Sequence, residues 1–71
     1  MPKLPRVSGA EVIRALQRLG FEKICQNGSH VVMRRGSSGC VVPLHSEVKV
    51  GTLAGVLRQA GVGGDEFTGA L

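Results

Sequence analysis

The chain has no tryptophan, no tyrosine and only two phenylalanines. Modules that read single-stranded RNA by stacking bases need several exposed rings, so a stacking platform of that kind is excluded. Long apolar runs are missing too. No stretch approaches the roughly 20 residues of a membrane-crossing helix, and Met1 to Arg6 lacks the apolar core of a secretory signal. A cytoplasmic setting with no membrane partner is expected. Acidic residues are few and scattered: Glu11, Glu22, Glu47, Asp65 and Glu66 form no evident magnesium site. Cysteine is limited to Cys25 and Cys40, expected as free thiols because structural disulfides are rare in the cytosol.

What is present fits one small domain over residues 1–71. At 71 residues, folding hides only about 60% of the surface an unfolded chain exposes, so the core must be thin. Hydrophobic residues make up 42% of the chain, enough for a globular rather than a disordered protein. The formal net charge of +4 favours a polyanionic partner, although a merely solvated basic surface has the same signature. Cys25 precedes His30 by five residues and Cys40 precedes His45 by five, giving two Cys-x4-His pairs. That spacing is not the usual one of zinc fingers or knuckles, and both cysteines lie in apolar, strand-like runs where a free thiol packs as a small hydrophobe. Neither metal nor cofactor is expected.

Residues Met1 to Val7 read as an extended lead-in. Ser8 followed by Glu11 is a capping box, which predicts a helix starting at Gly9. Val12, Ile13, Leu16 and Leu19 recur at helical spacing, and Gly20 ends the run. Phe21 to Gln26 reads as a strand followed by an Asn27-Gly28 turn. His30 to Arg35 and Cys40 to Leu44 then form a hairpin around a loop of residues 36–39. In that register Arg35 faces Cys40, Met33 faces Val42, Val31 faces Leu44 and His30 faces His45. Alternation puts Val31, Met33, Val42 and Leu44 on a buried face, and His30, Val32, Arg34, Val41 and His45 on the open one. Leu53, Val56, Leu57 and Ala60 mark a second helix ended by Gly61. Gly55 inside it costs about 1 kcal/mol against alanine, which suggests close packing or a sequence below its optimum. Gly63-Gly64 loosens the chain before Asp65 to Phe67, at most a last helical turn.

Helix, three strands, helix builds a two-layer α+β domain with both helices on one face of an antiparallel sheet, the αβββα layout of double-stranded-RNA-binding domains. Fold does not fix function. Gly28-Ser29-His30 delivers a histidine to the start of a strand at the rim of the open face. Histidine both takes and gives protons near neutrality, as RNA cleavage requires: a base removes the ribose 2′-hydroxyl proton and an acid protonates the departing 5′ oxygen. Arg34 and Lys49 are candidates to hold RNA and stabilise phosphorane charge. Alternatively, His30 is a turn residue without chemistry and His45 a hydrogen-bonding residue at a strand end.

Taken in order, Gly28-Ser29-His30, Val42-Pro43-Leu44-His45, Gly51-Thr52-Leu53 and Arg58-Gln59-Ala60-Gly61 resemble HicA-type (YcfA-like) mRNA interferase toxins of type II toxin-antitoxin systems. The likeness runs from about Leu4 to Phe67. It implies that His30 is the catalytic residue, with Gly28, Ser29 and His45 supporting it. It also implies metal-independent cleavage of single-stranded messenger RNA and a HicB-like antitoxin covering the active surface. A competing reading is a non-catalytic RNA-binding module of the same fold. That reading needs a basic cluster at the second helix N-terminus, where only Lys49 stands.

Overall fold

In the computed structural model, which describes residues 4–71, helix α1 spans Gly9–Arg18. Its start is the expected capping box: Glu11 N–H donates to Ser8 Oγ at 3.2 Å, and Ser8 N–H donates to Glu11 Oε1 at 3.1 Å. Two backbone groups that a helix start orphans are thereby satisfied. Val12, Ala15 and Leu16 are buried, and Gly20 follows the helix at φ 96°, a left-handed conformation that favours glycine. Part of the expected lead-in precedes Leu4 and lies outside the described residues. Further along it, Val7 forms a single antiparallel bridge to Val48.

Strands β1 (Glu22–Asn27), β2 (His30–Arg35) and β3 (Ser38–Pro43) form one antiparallel sheet in the order β1-β2-β3. Two-residue Gly-Ser turns join them. Gly28 and Gly36 have φ of 63° and 60°, and no serine has positive φ, a pattern that suits type II′ hairpin turns. Two expectations are corrected here. The first turn is Gly28-Ser29 rather than Asn27-Gly28, since Asn27 still pairs with His30. The second loop closes at Gly36-Ser37, so Ser38 and Gly39 join β3. Its register therefore moves by two: His30 faces Pro43, Val31 faces Val42, Met33 faces Cys40 and Arg35 faces Ser38. His30 is not opposite His45. A shift of two leaves the faces unchanged, so Val31, Met33 and Val42 are buried as expected, joined by Cys40.

Strand β1 overhangs the core. A bulge interrupts its pairing between Lys23 and Cys25, and all six of its residues are exposed. Cys25 is consequently an exposed thiol rather than a packed hydrophobe, while Cys40 is buried. Burial raises the pKa of the Cys40 thiol, because desolvation disfavours the thiolate.

Helix α2 spans Val50–Ala60 and ends at Gly61 with φ 72°. Leu53, Val56, Leu57 and Ala60 are buried. Close packing does not account for Gly55, since a Cβ built there meets nothing within 4 Å. Beyond Gly63 the chain forms a full helix, α3 (Gly64–Ala70), where a single turn was expected. Phe67 and Ala70 anchor it in the core, and Asp65 and Glu66 in its first turn complement the helix dipole. Helices α1 and α2 share one buried cluster with Val31, Met33, Cys40 and Val42, which places them on one sheet face, and α3 packs against both. Full burial of a side chain such as Leu16, Leu53 or Phe67 contributes about 1.5–3 kcal/mol. The expected α+β class and helix-strand order hold, with one helix added.

Candidate active-site groove

His30 and His45 line one groove without pairing directly across the strands. Both line a groove between β3 and α2, together with Val41, Pro43, Thr52, Gly55, Val56 and Gln59. Val56 and Pro43 are buried, whereas His30, His45, Thr52 and Gln59 are exposed. Two imidazoles, a hydroxyl and an amide therefore border an apolar floor, and no carboxylate lines the groove. Such a donor set suits an anionic group such as phosphate. It is poor for magnesium, which prefers oxygen ligands including carboxylates.

The two histidines are carried by segments tied to each other. Leu44 N–H donates to the Ser29 carbonyl at 2.6 Å, continuing the β2–β3 ladder by one residue on each side. His30 and His45 each follow a partner in that bond. The segment after β3 is irregular yet fixed: Gly9 N–H donates to the His45 carbonyl at 2.9 Å, and Val48 N–H donates to the Val7 carbonyl at 2.7 Å. Gly9 allows this close approach. A Cβ there would collide with the Pro43 carbonyl oxygen and lie 2.8 Å from Leu44 Cα.

The other sequence candidates lie farther off. Arg34 is exposed on the same open face as His30, four residues along β2, which is about 13 Å at the usual strand rise. It borders Ile24, Val32, Val41 and Gln59 rather than the groove of the histidines. Lys49 is the N-cap residue of α2 without a side-chain capping bond, and it does not line the groove. Gly28 and Ser29 form the turn that launches His30. Arg35, not singled out from sequence, has a structural role: its guanidinium donates to the Leu19 carbonyl at 2.8 Å and stacks on Phe21, 4.7 Å from the ring centroid. The Cys-x4-His pairs do not assemble, since Cys40 is buried under the sheet while His45 is exposed. Among the described residues no group of three or more His, Cys, Asp or Glu side chains could hold a metal.

Thr52, Gly55 and Gln59 were not recognised as groove residues from the sequence. The signal was available in their spacing: positions i, i+3 and i+7 of α2 form one stripe beside its core face.

Fold and groove together define a small α+β domain in which two histidines border one groove beside α2. Residues 9–62 match the family model described as HicA toxin of bacterial toxin-antitoxin. The chain belongs to this family, which makes it a toxin of a bacterial toxin-antitoxin system and implies a cognate antitoxin as its partner. No curated protein matches the chain.

Proposed function

We propose that this toxin is a metal-independent endoribonuclease that cleaves single-stranded messenger RNA, with His30 as general acid or base, and that a HicB-like antitoxin silences it. The observation that carries this reading is the shared, carboxylate-free groove of His30 and His45. One imidazole takes the ribose 2′-hydroxyl proton. The 2′ oxygen then attacks the adjacent phosphorus, the bond to the 5′ oxygen breaks, and a second acid protonates that leaving oxygen. The products are a 2′,3′-cyclic phosphate and a 5′-hydroxyl. His45 is the candidate for the second proton transfer, and each such group typically contributes about 10²- to 10⁴-fold. Arg34 holds the RNA chain farther along the open face, and Lys49 does so at the α2 N-terminus.

The test is to express His30→Ala and His45→Ala without antitoxin and measure melting temperature beside cleavage of a single-stranded RNA in excess EDTA, from pH 5 to 9. His30→Ala should abolish cleavage and growth arrest while keeping its melting temperature, because the side chain is exposed. His45→Ala should slow cleavage by about 10- to 1000-fold and flatten one limb of the pH profile. A folded His30→Ala protein that cleaves at the parent rate overturns the proposal.

A further inference from the structure

Helix α2 carries near its centre a glycine that neither its backbone nor its packing requires. Gly55 has no positive φ, so a left-handed conformation does not explain it. Nor does crowding: unlike Gly9, whose missing Cβ makes room for the Pro43–Leu44 backbone, Gly55 has no atom of the protein within 4 Å of a built Cβ. Glycine in a helix interior weakens the helix. Gly51 and Gly69 also meet nothing, but they lie in end turns, exposed to solvent. Gly55 is half-buried and lies in the wall of the groove that holds His30 and His45, between Thr52 and Gln59 on the same stripe.

A residue whose side chain is absent where the protein itself leaves space fits the remaining use of glycine, close approach of a ligand to the backbone. We propose that Gly55 is the clearance through which the ribose of a nucleotide next to the scissile phosphate lies against α2. Thr52 and Gln59 flank that sugar as hydrogen-bonding groups. The Thr52 hydroxyl donates and accepts, and the Gln59 amide offers two donors and a carbonyl acceptor, a set that matches ribose hydroxyls and phosphate oxygens. Position 55 thereby sets how deeply the sugar-phosphate chain enters the groove and how tightly it is held. This inference rests on the ribonuclease reading above and adds to it the subsite that seats the substrate.

The empty space around the position makes the alanine test clean, since an added Cβ meets no protein atom within 4 Å. Gly55→Ala and Gly55→Leu are compared with the parent and with Gly69→Ala, the same change at an exposed position of α3. Melting temperature, kcat and KM on a single-stranded RNA, and Kd for the 2′-fluoro version of that RNA, which lacks the attacking hydroxyl, are measured for each. Both alanine variants should melt about 2–5 °C above the parent. Gly69→Ala should cleave and bind as the parent does. Gly55→Ala should raise KM and Kd by about 3- to 10-fold, and Gly55→Leu by more than about 10-fold, with kcat changed less. A folded Gly55→Leu protein that binds 2′-fluoro RNA with the parent's Kd overturns the subsite. Failure of the ribonuclease reading looks different: a parent that binds the fluoro RNA without cleaving the natural one removes the catalytic assignment, while the Kd comparison still decides Gly55. A parent that neither binds nor cleaves overturns both.

Discussion

At the scale of single residues, the two cysteines separate what local sequence carries from what it does not. Cys25 and Cys40 occupy similar apolar runs, and alternation alone treats both as strand residues. One is exposed and the other buried, because coverage by helices is a tertiary property and the helices leave β1 bare. Iodoacetamide should therefore alkylate Cys25 in the native protein and reach Cys40 only on unfolding; equal labelling of both would contradict the burial of Cys40. The Cys40 thiol also has a consequence in pH. Its folded pKa is raised by burial, so the stability it carries is full below the unfolded value, about 8.5, and is lost as pH rises toward the folded one. The parent should lose melting temperature above about pH 8.5 more steeply than Cys40→Ala, measured by thermal scans between pH 7 and 10; parallel curves would refute the linkage. The place of His30, first in β2 after a glycine turn, was legible from its turn context. The expected cross-strand pairing of His30 with His45 does not hold, since Pro43 faces His30.

Among the elements, boundaries marked by side-chain hydrogen bonds or left-handed glycines were the readable ones. Ser8 with Glu11 opens α1, and Gly20 and Gly61 follow α1 and α2 as expected. The second hairpin loop was not read correctly, because Gly36-Ser37-Ser38-Gly39 supports either a four-residue loop or a two-residue turn. The positive φ of Gly36 makes the tighter turn accessible and draws Ser38 and Gly39 into the sheet. Helix α3 was underestimated for another reason: seven residues are too few for propensity to hold a helix alone, and burial of Phe67 and Ala70 decides it. Gly9 belongs to this scale as well, since it is where α1 touches the end of β3. Gly9→Ala should destabilise the protein by about 1–3 kcal/mol through overpacking, each kcal/mol lowering the melting temperature by about 4–8 °C. Backbone NMR shifts should change most at residues 43–45. A variant that melts with the parent would show that the contact is slack.

For the molecule as a whole, one sheet face is covered by helices and the other is not. Ile24 and Val41 on the bare side are 53% and 42% exposed, close to Val32 and Arg34. With the net charge of +4, we expect an acidic antitoxin to bind this face, since complementary charge steers and orients association. Hydrogen exchange on the toxin-antitoxin complex should show new protection in β2 and β3, including the amides around His30; protection limited to the outer faces of α1 and α3 would place the antitoxin elsewhere. Among the described residues, no helix is long and apolar enough to cross a membrane. The overall layout was legible because its periodicities are strong. The groove was not, since it joins β3 to α2 across a gap in sequence that no local pattern spans.

Two backbone bonds, Gly9 N–H to the His45 carbonyl and Val48 N–H to the Val7 carbonyl, make the first residue of α1 and the stretch ahead of it a brace for the second histidine. Proteolytic trimming through Val7 would cut one of the two moorings of the His45 arm and also remove a buried core side chain. On the ribonuclease reading, trimming there should lower cleavage and melting temperature together, because the same residue that moors the His45 arm also fills the core.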